Sequence, residues 1–128
     1  MTDPAAALAP LRILLVDPDD RVRESLAGLL GIGRRCLVIG TAGTADGAVR
    51  LAAETAPEVV VVDPRLPGID STALIARLRA VAPDTRVLVL NWSDTADLAS
   101  GADRYVRKTF RPQELIDAIV ATVGRSLA

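Results

Sequence analysis

The chain has 128 residues, enough for one domain with a buried core, and half of them are hydrophobic while aromatic residues make up only 2%. Fifteen basic residues nearly balance sixteen acidic ones and are spread along the chain, so neither a nucleic-acid backbone nor an anionic membrane is an expected partner. The absence of His excludes imidazole general bases and His metal ligands, and the single cysteine, Cys36, excludes a disulfide framework. Cys36 lies in an apolar run and reads as a buried thiol.

Residues 1–10 contain two prolines and no basic n-region, and read as a flexible leader rather than a signal peptide. Residues 11–128 read as a single domain. No apolar run reaches the length of a membrane span, and a reduced, cytoplasmic setting is expected.

Leu11 to Val16 predicts a first strand that stops at Asp17-Pro18. Asp19 or Asp20 is placed to cap a helix carrying Val22, Leu26, Leu29 and Leu30 at helical spacing, with Gly31 and Gly33 ending it. Cys36 to Ile39 predicts a second strand. Thr44 is the expected N-cap of a helix through Ala48, Leu51 and Ala52 that stops before Pro57. Four consecutive valines, Val59 to Val62, then run into Asp63-Pro64-Arg65-Leu66-Pro67-Gly68. Such a short β-branched run ended by turn residues is a strand buried on both faces. Asp70 or Ser71 caps a third helix bearing Leu74, Ile75, Leu78 and Val81, closed by Pro83. Val87 to Leu90 predicts a fourth strand and Arg104 to Val106 a fifth. Pro112 opens a last helix with Leu115, Ile116, Ile119, Val120 and Val123 on one face.

Strands alternating with helices imply an α/β fold: a doubly wound five-stranded parallel sheet with right-handed crossovers. Flavodoxin-like order 2-1-3-4-5 is the natural solution, and it sets the first and third strands side by side. Asp17, Asp63, Asn91 and Lys108 then fall at one rim. Two carboxylates and an ammonium there could hold a hard cation and a phosphoryl group together, with a carboxylate as nucleophile. Each residue alone could simply solvate a strand end; four in register favour a site. A flavodoxin-like cofactor binder is disfavoured, because the loop Asp17-Pro18-Asp19-Asp20 would repel a phosphate.

Three segments carry a resemblance to a known family: Leu14-Leu15-Val16-Asp17, the run from Val61 through Asp63 to Asp70, and Gly101-Ala102-Asp103-Arg104-Tyr105-Val106-Arg107-Lys108. From Leu11 to about Gly124 the chain resembles a response-regulator receiver domain of two-component signalling. The resemblance implies that Asp63 is the phospho-acceptor and that Asp17, Asp63 and the backbone carbonyl of Arg65 face a Mg²⁺ ion. It also implies that Lys108 binds the phosphoryl group and that Asn91 and Tyr105 stand at the switch positions. The implied partner is a histidine kinase or another signalling protein, and pairing with a second copy is a mode the family uses. No enzyme activity of its own is expected.

Four departures qualify that picture. Pro18 stands where the family usually has a second acid, so Mg²⁺ binding should be weak. Asn91 replaces a hydroxyl residue. Thr109 replaces a proline after Lys108, which predicts trans geometry or a strained turn there, since a cis bond without proline costs about 2.5–4 kcal/mol. The segment between the fourth and fifth strands allows only a shortened fourth helix, over about residues 95–100. Arg65 and Arg107 read as solvated side chains, and Tyr105 either packs on the last helix or moves with a switch. Two functions follow from these residues: a phospho-accepting receiver with a degenerate metal site, or a phosphorylation-independent pseudo-receiver that binds proteins.

Overall fold

The structure is a computed structural model of the chain, and it describes residues 9–91, 101–107 and 111–124. Its strands are β1 (Leu11–Val16), β2 (Cys36–Ala42), β3 (Val59–Val62), β4 (Arg86–Asn91) and β5 (Arg104–Arg107). Its helices are α1 (Asp20–Gly31), α2 (Ala45–Thr55), α3 (Ser71–Val81) and α4 (Pro112–Thr122). The strands form one sheet in the order β2-β1-β3-β4-β5, every neighbouring pair parallel. This is the doubly wound order expected from the alternation of elements. Residues 1–8 of the expected leader at residues 1–10, and the segment read as the fourth helix, lie outside the described residues.

Sequence chemistry sets the helix starts. Asp19 accepts from the N–H groups of Arg21 and Val22, Thr44 from Gly47, and Asp70 from Ala73, each satisfying an amide that the first helical turn leaves open. At α4 no side chain caps; Pro112 occupies the first turn, where its missing N–H costs nothing.

The valine strand divides the core in two. Val60 and Val62 face a cluster with Leu14, Val16, Leu74, Ile75 and Leu78, beneath α2 and α3. Val59 and Val61 face Ile13, Leu15, Leu88, Ile119 and Val120, beneath α1 and α4. Both faces of β3 are therefore dry, which is why the run does not alternate with polar residues.

Three local expectations are corrected. β2 does not stop at Ile39 but continues to Ala42, because β1 keeps pairing after the register slips between Ile13 and Leu14. The first helix ends at Gly31 as expected, and the left-handed residue that follows is Arg34 (φ 58°). Val81 is 40% exposed and does not join Leu74, Ile75 and Leu78 on the buried face of α3. Tyr105 is half-buried against the α2–α3 cluster, whereas Val106 packs on the α4 side. Successive residues of a strand point to opposite faces, so Tyr105 cannot share the face that Val106 gives to α4.

Candidate functional site at the carboxyl rim of the sheet

Asp17 and Asp63 are the residues immediately after β1 and β3, whose last paired positions are Val16 and Val62. The Asp63 N–H donates to the Val16 carbonyl (2.8 Å), and the Asp17 N–H donates to the Ala42 carbonyl (3.1 Å). The ladder thus extends just far enough to fix both backbones, and each residue is only 2% exposed. Open α/β sheets place their crevice at this end of the strands.

Each carboxylate also shapes the loop that follows it. Asp17 Oδ1 accepts from the Asp19 N–H (2.8 Å), and Asp63 Oδ1 accepts from the Arg65 N–H (2.8 Å), a pair of turns closed by an Asp side chain. After Asp63 the loop is anchored by Leu66, which is buried in the α2–α3 cluster.

Arg65 does more than the solvated reading allows. Its Nε donates to Asp63 Oδ1 (3.1 Å) and its Nη2 to Asp63 Oδ2 (2.7 Å), so the guanidinium grips both carboxylate oxygens. The Arg65 side chain is 55% exposed, whereas that of Asp63 is buried. The hydrogen bond to Asp63 raises the Arg65 pKa above its ordinary value; desolvation opposes this, and the charges of Asp63, Asp17 and Asp19 add to it. In front lies an open depression of about 700 Å³ lined by Pro18, Asp19, Asp20, Arg21 and Arg65.

A second arginine, which the sequence reading did not single out, braces the other side. Arg23 Nη1 donates to the Asp17 carbonyl (2.6 Å), and its Nη2 pairs with Asp20. Gly43 makes this possible, since a Cβ there would lie 2.6 Å from Arg23 Nη1. The signal available in sequence was the Asp20–Arg23 spacing of three along a helix. A third carboxylate, Asp103, accepts from the Val87 N–H (2.7 Å) and from Arg79 (3.1 Å), and so ties the start of β4 to the turn before β5.

Asn91 ends β4, half-buried, two residues past Val89, the partner of Val62. It pairs in register with Arg107, which is exposed, and Tyr105 pairs with Val89. Lys108 and Thr109 lie outside the described residues. Asp17 and Asp63 therefore share the rim, with Asn91 further along it and Tyr105 set into the α2–α3 side.

The Mg²⁺ implied by resemblance needs several oxygen ligands. Among the described residues no group of three acidic, Cys or His side chains is placed to hold a metal ion. Pro18 brings no carboxylate, and both Asp63 oxygens are engaged by Arg65. As arranged, these residues do not fit a resident divalent cation. Among the described residues no helix is long and apolar enough to cross a membrane.

Comparisons with known proteins agree with this architecture. A solved two-component response regulator of the LuxR family from Aurantimonas sp. SI85-9A1 superposes with a TM-score of 0.81 at 34% identity, covering 91% of this chain and 87% of that one. The DNA-binding response regulator MtrA of Mycolicibacterium smegmatis is 38% identical over 120 residues, 90% of this chain and 51% of its own length. The response regulator MprA of Mycobacterium sp. strain KMS is 34% identical over 122 residues, 91% of this chain and 52% of its own. The chain thus spans about half the length of the curated relatives it matches. The profile of the response regulator receiver domain covers residues 13–120, and with the sheet order and the rim carboxylates in agreement, the chain belongs to the response regulator receiver domain family.

Proposed function

We propose that this receiver accepts a phosphoryl group on Asp63 from a partner histidine kinase and changes its protein contacts as a result. The observation that carries the reading is the Asp63 carboxylate: it sits at the carboxyl end of the central strand, fixed by its own backbone bond, beside Asp17 and bonded to Arg65, which lines an open depression. In the transfer an Asp63 oxygen attacks phosphorus. The P–N bond of a phosphohistidine, or the P–O bond of an acyl phosphate, breaks, and the leaving group takes the electron pair. Arg65 must free one Asp63 oxygen for that attack, and its guanidinium is then placed to pair with the new phosphate. Lys108 contributes a second cation, with Asn91 and Tyr105 as the switch residues. Mg²⁺ binding, general in the family, is weak in this chain, and no step is assigned to the ion. The protein works in the cytoplasm, and its DNA output, where one exists, belongs to another domain.

The test is to incubate the protein with a small acyl phosphate and weigh it intact. A phosphate adduct that hydroxylamine removes and that Asp63→Asn abolishes is the expected result. A specific observation supports the second reading, a phosphorylation-independent pseudo-receiver: Arg65 already engages both oxygens of the acceptor. An absent adduct, or one that persists in Asp63→Asn, selects it.

A further inference from the structure

The rim gathers negative charge: Asp17 and Asp63 are buried side by side at the strand ends, and Asp19 stands at the edge of the same depression. Burying like carboxylates without neutralisation is costly, so the fold needs a cation there. Receivers generally meet that need with Mg²⁺. Here the Arg65 side chain supplies positive charge at Asp63. Arg65 is held first by its own backbone, since its N–H is bonded to Asp63 Oδ1, and the anchored Leu66 prevents the loop from turning away. Its fork then closes on both Asp63 oxygens, the arrangement in which guanidinium recognises carboxylate best. Pro18, which supplies neither a carboxylate nor an N–H, borders the same depression.

We propose that Arg65 is a built-in counterion that holds Asp63 in place of a divalent cation, so that Mg²⁺ reaches the acceptor only when the guanidinium is displaced. This inference deepens the proposed function by naming what guards the acceptor, and it rests on Asp63 being that acceptor. Arg65 is half-exposed while Asp63 is buried, so the contact is a latch rather than a permanent block: the arginine meets water, and a competing charge can lift it.

The test is a Mg²⁺ titration followed by thermal melting, on the full chain and on Arg65→Ala and Arg65→Gln. The expected result is a negligible shift of the melting midpoint for the unmodified protein at millimolar Mg²⁺. Both variants should gain a saturable upward shift, with a Mg²⁺ midpoint about three- to tenfold lower, the factor set by removing one half-exposed charge pair. Arg65→Lys, which keeps the charge but not the fork, should fall between. Adding Asp63→Asn to Arg65→Ala should cancel the gain and so locate the ion at the acceptor. Equal Mg²⁺ responses with and without Arg65, or a gain that survives Asp63→Asn, would overturn the proposal. Intact-mass phosphorylation is read separately. A chain that shows the latch yet takes no phosphate fails the proposed function alone, and one that takes phosphate with a Mg²⁺ response indifferent to Arg65 fails this inference alone.

Discussion

Asp17 and Asp63 each stand one residue beyond the last paired positions of two adjacent parallel strands, Val16 and Val62, and each turns a side-chain oxygen back to the amide two residues ahead. The symmetry of the two turns separates the charge of these residues from their role in building the loops. Asp17→Asn keeps an oxygen for the Asp19 N–H and removes one negative charge, whereas Asp17→Ala removes both functions. In urea denaturation Asp17→Asn should match or exceed the parent protein. Asp17→Ala should lose about 1 kcal/mol, the worth of a partly buried hydrogen bond. A loss in Asp17→Asn as large as in Asp17→Ala would mean that the charge, and not the turn, holds this end of β1.

The Arg23–Asp17 contact depends on a position with no side chain. Gly43→Ala places a Cβ against Arg23 Nη1, and because that atom ends a flexible side chain the arginine can move aside. What is lost is its bond to the Asp17 carbonyl. Gly43→Ala and Arg23→Gln should each destabilise by about 0.5–1.5 kcal/mol. Their double variant should cost clearly less than the sum, since both remove one interaction. Additive losses would show that Gly43 serves something else.

Much of this architecture is written in short-range chemistry. The valine run, the capping residues Asp19, Thr44 and Asp70, and the carboxylate after each of two strands carry their positions in the sequence itself. Arg65 could not be read that way. A charged residue between prolines looks solvated, and only the turn closed by Asp63 brings its side chain back onto the acceptor. For Tyr105 the sequence leaves packing on the last helix and a switch role both open, because one residue of phase inverts every side chain on a strand; its place on the α2–α3 face excludes the first. The second strand is expected to end at Ile39, yet the pairing continues through Gly40 to Ala42 after a slip in register.

The two-sided burial of β3 has a direct consequence. Val60 and Val61 face opposite clusters and both are shut away from water. Replacing either with Thr keeps the shape and inserts a hydroxyl with no ready partner. Each should therefore lose about 1–3 kcal/mol in chemical denaturation. A sheet packed on one face only would tolerate one of the two, so a neutral result at either position would contradict a core on both sides.

Thr85 offers a cleaner measure of a buried polar contact. It lies just before β4, almost fully buried, and its Oγ1 donates to the Pro57 carbonyl at the entry to β3 (2.7 Å). The bond joins the amino ends of two neighbouring strands, far along the sheet from the carboxylates. Thr85→Val keeps the volume but leaves that carbonyl without its donor, and stability should fall by about 1–2 kcal/mol. Thr85→Ser keeps the hydroxyl and should recover most of the loss, apart from the missing methyl. Because the contact lies at the opposite end of β3 from Asp63, phosphorylation of Asp63 by an acyl phosphate should proceed at the parent rate in both variants. A rate that falls together with stability would show that the two ends of β3 are coupled through the strand, and the rim could then no longer be treated as a site set by local turns alone.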